Sequence, residues 1–285
     1  MVVKITSNQS QVHCRNEYDI LKKVIICEPK FMAIKEAING TQSKYSKENL
    51  DCSLALLQHQ KFEETLRNAG VEVIKLQPRK DYPEQVFTRD IGFVLGSHLF
   101  IAEMANSIRQ GEEEVLVQWL NQHGISYKNL STHSIEGGDV IVDGNRVLVG
   151  ISDRTSKEAI QNLQKELLEF KIFAIPFNPK YLHLDCVFNI LSTQDALIYP
   201  DAFDQKTVEL LASMYHLIEV GESEQSSLGT NVLSIGHNRV ISLPNNREVN
   251  KQMTQHGYEV VEVDFSEIIK SNGSFRCCSL PIVRQ

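Results

Sequence analysis

The sequence contains no long hydrophobic run: nothing in its 285 residues approaches the roughly 20 apolar residues that span a membrane. Its opening segment, MVVKITSNQSQVHCRNEYD, holds no apolar stretch of the signal-peptide kind, so a cytoplasmic location is expected. A surplus of positive charge is also missing. The formal net charge of −7 argues against a nucleic-acid or anionic-membrane partner and suits a small cationic molecule. The six cysteines (Cys14, Cys27, Cys52, Cys186, Cys277 and Cys278) form no Cys-x-x-Cys pair, so they are read as free thiols in a reducing compartment. Linkers and low-complexity stretches are absent too. With 42% hydrophobic residues the chain can bury a sizeable core, and residues 1–285 are read as a single domain. Homo-oligomer formation is left open.

What the sequence does have is a repeat carried by polar residues. Five segments share one layout, in which a polar residue precedes an apolar strand: Asp90, Asp139, Asp185, Asn231 and Cys277. The intervals are 49, 46, 46 and 46 residues. A fixed period of this size signals stacked or radial copies of one supersecondary unit. Copies arranged about an axis bring equivalent positions together, here three carboxylates, an amide and a thiol.

Between these hairpins run amphipathic stretches of helical period, each followed by a short strand. KENLDCSLALLQHQKFEETLRNAG places Leu54, Leu57, Phe62 and Leu66 near one face and stops at Gly70. Thr155 and Glu158 have capping-box spacing, and Gly124 and Gly257 stand at further helix stops. Each unit therefore reads strand–strand–helix–strand. The C-terminal FRCCSLPIV lacks a hairpin partner, and LKKVIICEP at 21–29 is an unpaired apolar strand. Pairing them closes a ring and leaves no exposed sheet edge. The expected fold is an α/β five-bladed pseudo-symmetric ββαβ propeller; an open α/β sheet accounts for the alternation but not for the common register of polar residues.

The strings Phe87-Thr88-Arg89-Asp90, Glu136-Gly137-Gly138-Asp139, His183-Leu184-Asp185 and Gly273-Ser274-Phe275-Arg276-Cys277 follow one another in order, one per blade. In this the chain resembles the guanidine-modifying (arginine deiminase) superfamily, whose pentein fold is this propeller. The short length, the terminal Cys-Cys-Ser and GISDRTS at 150–156 are most similar to dimethylarginine dimethylaminohydrolase. Phe87-Thr88-Arg89-Asp90 instead resembles the arginine deiminase version of its motif.

A guanidinium carbon is a poor electrophile, so carboxylates must grip its N–H groups and hold the carbon beside a nucleophile. The resemblance assigns that grip to Asp90 and Asp185. Cys277 is the expected nucleophile, because it shares the register of the aspartates, whereas Cys278, next along a strand, faces the packing. His183, two residues before Asp185 and so on the same strand face, is the candidate general acid and base. Glu136 is expected to orient that imidazole or bind a guanidinium nitrogen, with Asp139 behind it in the substrate site. Arg154 resembles the family arginine that holds the substrate α-carboxylate, and Arg109 is a second candidate. Arg89 is read as a further carboxylate contact or as a determinant of specificity. Residues 30–46 form a long polar connection that could close as a lid.

The resemblance implies a cofactor-free hydrolase acting on a small guanidino substrate, most like one that converts Nω-methylated arginine to citrulline. Amidino transfer to an amine acceptor uses the same constellation. A metal hydrolase built on His183, Asp185, Cys186 and Cys277 is disfavoured, because neighbours on a strand face apart. A ribosome-binding propeller would need no Cys–His pair, and it suits an acidic chain poorly.

Overall fold

The computed structural model describes residues 11–130 and 133–285. Residues 1–10, on which part of the cytoplasmic reading rests, lie outside the described residues. Strand β1 (Leu21–Cys27) is followed by the short helix α1 (Gly40–Tyr45), helix α2 (Cys52–Asn68) and β2 (Glu72–Leu76). The same order then recurs: β3 (Gly92–Leu95), β4 (His98–Ile101), α3 (Glu112–Gln122) and β5 (Lys128–Asn129), then β6 (Val140–Asp143), β7 (Arg146–Ile151), α4 (Lys157–Glu166) and β8 (Lys171–Pro176). Next come β9 (Phe188–Ile190), β10 (Asp195–Ile198), α5 (Gln205–Ala212) and β11 (His216–Glu219). After the single-turn α6 (Glu222–Gln225) follow β12 (Leu233–Gly236), β13 (Arg239–Ser242), α7 (Arg247–Gln255) and β14 (Glu259–Glu262), and lastly β15 (Leu280–Arg284).

These strands form five three-stranded sheets of one design: an inner and a middle strand pair antiparallel, and the middle and outer strands pair parallel. A parallel pair needs a crossover, and the helix supplies it. The expected ring closure is present. β15 pairs antiparallel with β1, Ile25 opposite Leu280 and Leu21 opposite Arg284, so one blade is built from both ends of the described chain. The molecule is the five-bladed propeller that the repeat implied.

Details of the helices differ from the expectation. The buried face of α2 is Ala55, Gln58, His59, Phe62 and Leu66, while Leu54 and Leu57 point outward, because Asp51 caps the helix through Ser53 N and Leu54 N and so sets its rotation. Ser156, not Thr155, caps α4 by accepting from Ala159 N at 3.2 Å. The Thr155 hydroxyl is taken up by Glu136 N. Gly70, Gly124 and Gly257 do terminate helices, each with positive φ.

The five register residues lie not on strands but in tight turns just before the inner strands. Asp139 and Asp185 sit in single 3-10 turns, and Asp90 and Asn231 bond back three residues to Phe87 O and Leu228 O. Each turn is tied to the next around the axis. Gly137 N donates to Asp90 O (3.1 Å), Leu184 N to Asp139 Oδ1 (2.8 Å) and Asn231 Nδ2 to Asp185 O (3.2 Å). Cys277 N donates to Asn231 Oδ1 (3.2 Å), and Arg89 N donates to Cys277 O (3.0 Å), which completes the circle.

The hairpins cluster at the opposite end of the axis, and residues 13–20 lie across them as a strap. Cys14 and Gly96 exchange backbone hydrogen bonds, Gly144 N donates to Arg15 O, and Ile20 and Gln285 pair with each other. The strap turns Glu17 inward, where it is buried.

Candidate active site

On the ring side, a small cavity of about 10 Å³ lies on the axis. Asp90, Arg109, Arg154, His183 and Cys277 line it, together with Glu84, Phe87, Leu182, Ile38, Asn39 and residues 271–273. It shares Ile38, Asn39, Arg154 and Leu182 with an outer recess of about 340 Å³. The arrangement is a deep end lined by the Cys277 thiol and a wider mouth, with Arg154 between them.

Cys277 lies beneath this cavity. Asn231 Nδ2 donates to its sulfur at 3.1 Å, and the Asp185 carboxylate oxygens stand 3.7 and 3.8 Å away. Asp185 is itself held by Arg276, whose Nη1 donates to Oδ2 at 2.7 Å. Cys278 is fully buried and does not line the cavity, and burial pushes its thiol well above the ordinary range. Of the two thiols only Cys277 lines the cavity, and both lie in a turn ahead of β15, not on a strand whose alternation would separate them.

His183 is fully buried and flanked by carboxylates. Its Nε2 lies 2.7 Å from Glu136 Oε2, and its Nδ1 lies 3.6 Å from Asp90 Oδ1. Burial alone would favour the neutral ring, but Asp90, the hydrogen bond with Glu136 and the charge of Asp139 outweigh it and raise the imidazole to about 10. Burial tends to raise Glu136 as well, yet the hydrogen bond and charge of His183 hold it below the usual carboxylate value. Burial raises Asp90. At neutral pH His183 is thus a cation with a proton to give. Gly138 makes room for it: a Cβ there would stand 2.6 Å from His183 Nδ1.

Arg109 Nη1 donates to Asp90 Oδ2 at 2.6 Å, and its fork holds Glu112 Oε2 at 2.7 and 3.1 Å. Arg154 Nη2 donates to Ile38 O at 3.2 Å and lies 3.9 Å from Glu136. Glu84, which the sequence reading missed, accepts from Gln42 Nε2 of α1 at 2.9 Å. Burial, only partly opposed by Arg109, raises its carboxyl to about 8. Gln42 also reaches Ser271, and Thr41 donates to Asn272, so the 30–46 connection is tied over the cavity by α1.

Two residues expected at the substrate are placed elsewhere. Arg89 contributes its backbone to the ring, but its side chain passes through to the strap side, where Nη2 lies 3.6 Å from Glu17. Asp139 is consumed in bracing the ring. It accepts from Leu184 N and from Ser152 Oγ (2.6 Å), and burial raises it to about 6. His183 and Asp185 do not share a strand face: His183 precedes a 3-10 turn that contains Asp185. Cys186 likewise does not face away from Asp185, since its thiol donates to Oδ1 at 3.6 Å.

The ligand-type side chains that converge among the described residues are Asp90, Glu136 and His183, with one candidate atom each within 4.8 Å of the others. This is not the set weighed from the sequence. A metal needs a neutral imidazole, so His183 would have to give up one of the protons that its carboxylate neighbours stabilise.

A five-bladed ring with a cysteine, a histidine and carboxylates gathered at its axis defines the guanidine-modifying superfamily. Within it, residues 28–284 match the family described as "N,N dimethylarginine dimethylhydrolase, eukaryotic", and the chain belongs to that family. It is 50% identical to the uncharacterized protein YkgA of Bacillus subtilis, over 100% of this chain and 99% of that one. It is 28% identical to the N(G),N(G)-dimethylarginine dimethylaminohydrolase of Mycobacterium tuberculosis, over 92% of this chain and 86% of the relative. Among solved structures, the N-terminal domain of ArgZ, a cyanobacterial arginine dihydrolase, bound to product, superposes with a TM-score of 0.86 at 23% identity, covering 93% of this chain and 98% of that one. SxtG, an amidinotransferase from Microseira wollei, superposes with a TM-score of 0.83 at 19% identity, covering 96% and 98%. Both share the fold.

Proposed function

We propose that the protein is a cofactor-free hydrolase that converts Nω-methylated arginine to citrulline and methylamine or dimethylamine. The observation that carries this reading is that Cys277, His183 and Asp90 line one enclosed cavity with Arg109 and Arg154. The substrate guanidinium replaces Arg109 on Asp90, and Asp185 Oδ1, the oxygen not taken by Arg276, accepts a second N–H. Cys277 gives up its proton to solvent as the guanidinium cation docks beside it, and the resulting thiolate adds to the guanidinium carbon to form a tetrahedral adduct. As the C–N bond to the methylated nitrogen breaks, His183 gives its proton to the departing amine, leaving a thiouronium on the sulfur. The neutral imidazole takes a proton from water, the resulting hydroxide adds to the same carbon, and the C–S bond breaks to release the ureido product.

Phe87 and Leu182 supply an apolar wall for the methyl groups. Arg154, at the junction with the outer recess, meets the α-carboxylate in this reading. The family match and the relative named a dimethylarginine dimethylaminohydrolase support the methylated substrate. Arg89, whose string resembles the deiminase motif, sends its side chain away from the cavity.

The test is citrulline release from arginine, mono- and dimethylarginine and agmatine. Methylated arginine is expected to lead. Agmatine, which lacks the carboxylate, should trail by the loss of a buried charge-assisted pair, about 2–5 kcal/mol, or roughly 30- to several-thousand-fold in kcat/KM. Equal use of agmatine would remove Arg154 from the site. A strong preference for unmethylated arginine would make the enzyme a deiminase, and turnover only with an added amine acceptor would make it an amidinotransferase.

A further inference from the structure

We propose that Glu17, carried by the strap at the far end of the axis, is a positioning residue for Cys277, acting through Arg276 and Asp185. The proposal rests on the reading of Cys277 as the nucleophile. Glu17 is buried on the side of the ring away from the cavity, in a segment that precedes the residues matched by the family. Its Oε1 accepts from Arg276 Nη2 at 3.2 Å and from Val142 N at 3.3 Å. The other arm of the same guanidinium donates to Asp185 Oδ2 at 2.7 Å. Asp185 in turn faces the sulfur at 3.7 Å. Three buried charges of alternating sign therefore run from the strap to the nucleophile.

A planar guanidinium shared between two carboxylates is fixed in orientation by both. Without Glu17, Arg276 Nη2 keeps only the uncharged Val140 carbonyl, at 2.9 Å, on that side, and the guanidinium is drawn more strongly toward Asp185. The backbone makes the coupling tight, because Arg276 is the residue directly before Cys277.

The electrostatics point the same way. Arg89, Arg276 and Arg284 are all buried, and Arg89 Nε and Nη2, Arg276 Nε and Arg284 Nε have no hydrogen-bond partner. Glu17 stands among them. Burial would raise its carboxyl, but Arg276, Arg89 and Arg284 together hold it down to about 2, so it is an anion at all working pH values. Removing that anion leaves the cluster more positive, and this favours the anionic form of the nearby sulfur even as the grip of Asp185 is disturbed. Orientation is lost while the reactivity of Cys277 rises and that of the equally buried Cys278 does not, a selectivity that a general loosening of the ring would not produce.

The experiment uses the full chain with Glu17→Gln and Glu17→Asp. The first readout is steady-state turnover of the best guanidino substrate. The second is the rate at which iodoacetamide alkylates Cys277 at one neutral pH, followed by peptide mass spectrometry, which needs no substrate. Glu17→Gln is expected to lower kcat at least tenfold with KM within threefold, and to speed alkylation at least threefold. Glu17→Asp, which keeps the charge on a shorter arm, should fall between parent and Gln in both. Parental kcat and alkylation in a folded Glu17→Gln protein, with or without a lower Tm, overturn the proposal. If the Gln variant does not fold, the Asp variant decides: intermediate values uphold the proposal and parental values overturn it. If the parent cleaves no guanidine at all, the functional reading fails, and alkylation still decides this one.

Discussion

Cys277 and Cys278 are neighbours in the chain and unequal in chemistry. One sulfur meets the Asn231 amide and the Asp185 carboxylate beside the cavity; the other is sealed away from it, its thiol raised by burial. Cys277→Ser should therefore lower turnover by about 10³-fold or more, while Cys278→Ser keeps activity within a few-fold at a stability cost of about 1–2 kcal/mol for a buried hydroxyl. Mass spectrometry of enzyme trapped with substrate should find the adduct on Cys277. His183 makes a separate prediction about pH. Its folded-state value is raised from 6.5 to about 10, so the native state holds this proton more tightly than the unfolded chain does. The resulting stability is complete below about pH 6.5 and is lost as pH rises through about 10. Thermal melts across that window should show Tm falling in the parent and a flatter profile in His183→Gln. At this scale the convergence of Asp90 and Cys277 was legible, because each stands before an apolar strand at a repeating interval, and His183 was picked out only by its place two residues before Asp185. Glu84, Arg276 and Glu17 were not, since their roles depend on which way a side chain leaves a turn. Arg276 was inside a quoted motif, overlooked beside the cysteine that it helps to hold.

The turns that carry the site depend on glycine at two adjacent positions for different reasons. A Cβ on Gly137 would lie 2.1 Å from Arg89 O and 2.6 Å from Gly92 O, both backbone atoms that cannot step aside. Gly137→Ala is expected to cost several kcal/mol, read as a large drop in Tm or loss of soluble protein. A Cβ on Gly138 meets only side chains, His183 and Asp90. Gly138→Ala should fold yet displace the imidazole, lowering kcat by roughly 10²-fold for a shift of about an ångström. Equal activity in the two folded variants would contradict this division. Helices and hairpins were readable from periodicity and glycine stops. The faces of α2 and the cap of α4 were not, because Asp51 sets the rotation of one helix and Glu136 takes up the hydroxyl of Thr155. The polar register was read as strand positions. It belongs to turns, and for that reason Asp139 and Asn231 recur in it: they join blades, and a repeat cannot separate a residue that binds substrate from one that binds the next blade.

At the scale of the whole molecule, Asn231 is where the ring is most concentrated. Its side chain contacts Asp185 O, Cys277 N and Cys277 Sγ, and so spans two neighbouring blades. Asn231→Leu strands several buried polar groups at about 1–3 kcal/mol each. It should lower Tm and slow Cys277 chemistry together, whereas a lowered Tm with unaltered kcat would confine Asn231 to structure. The five blades also differ in when they can form. Four are each drawn from one local stretch, but the blade that carries Cys277 joins Leu21 to Arg284. Closing so long a loop is slow and comes after local pairing. The consequence concerns time. During folding the Cys277 segment is the last part of the ring to be delivered, so a molecule with four finished blades holds Asp90, Glu136, His183 and Asp185 without Cys277 among them. Closing the ring and completing that cluster then arrive in one event.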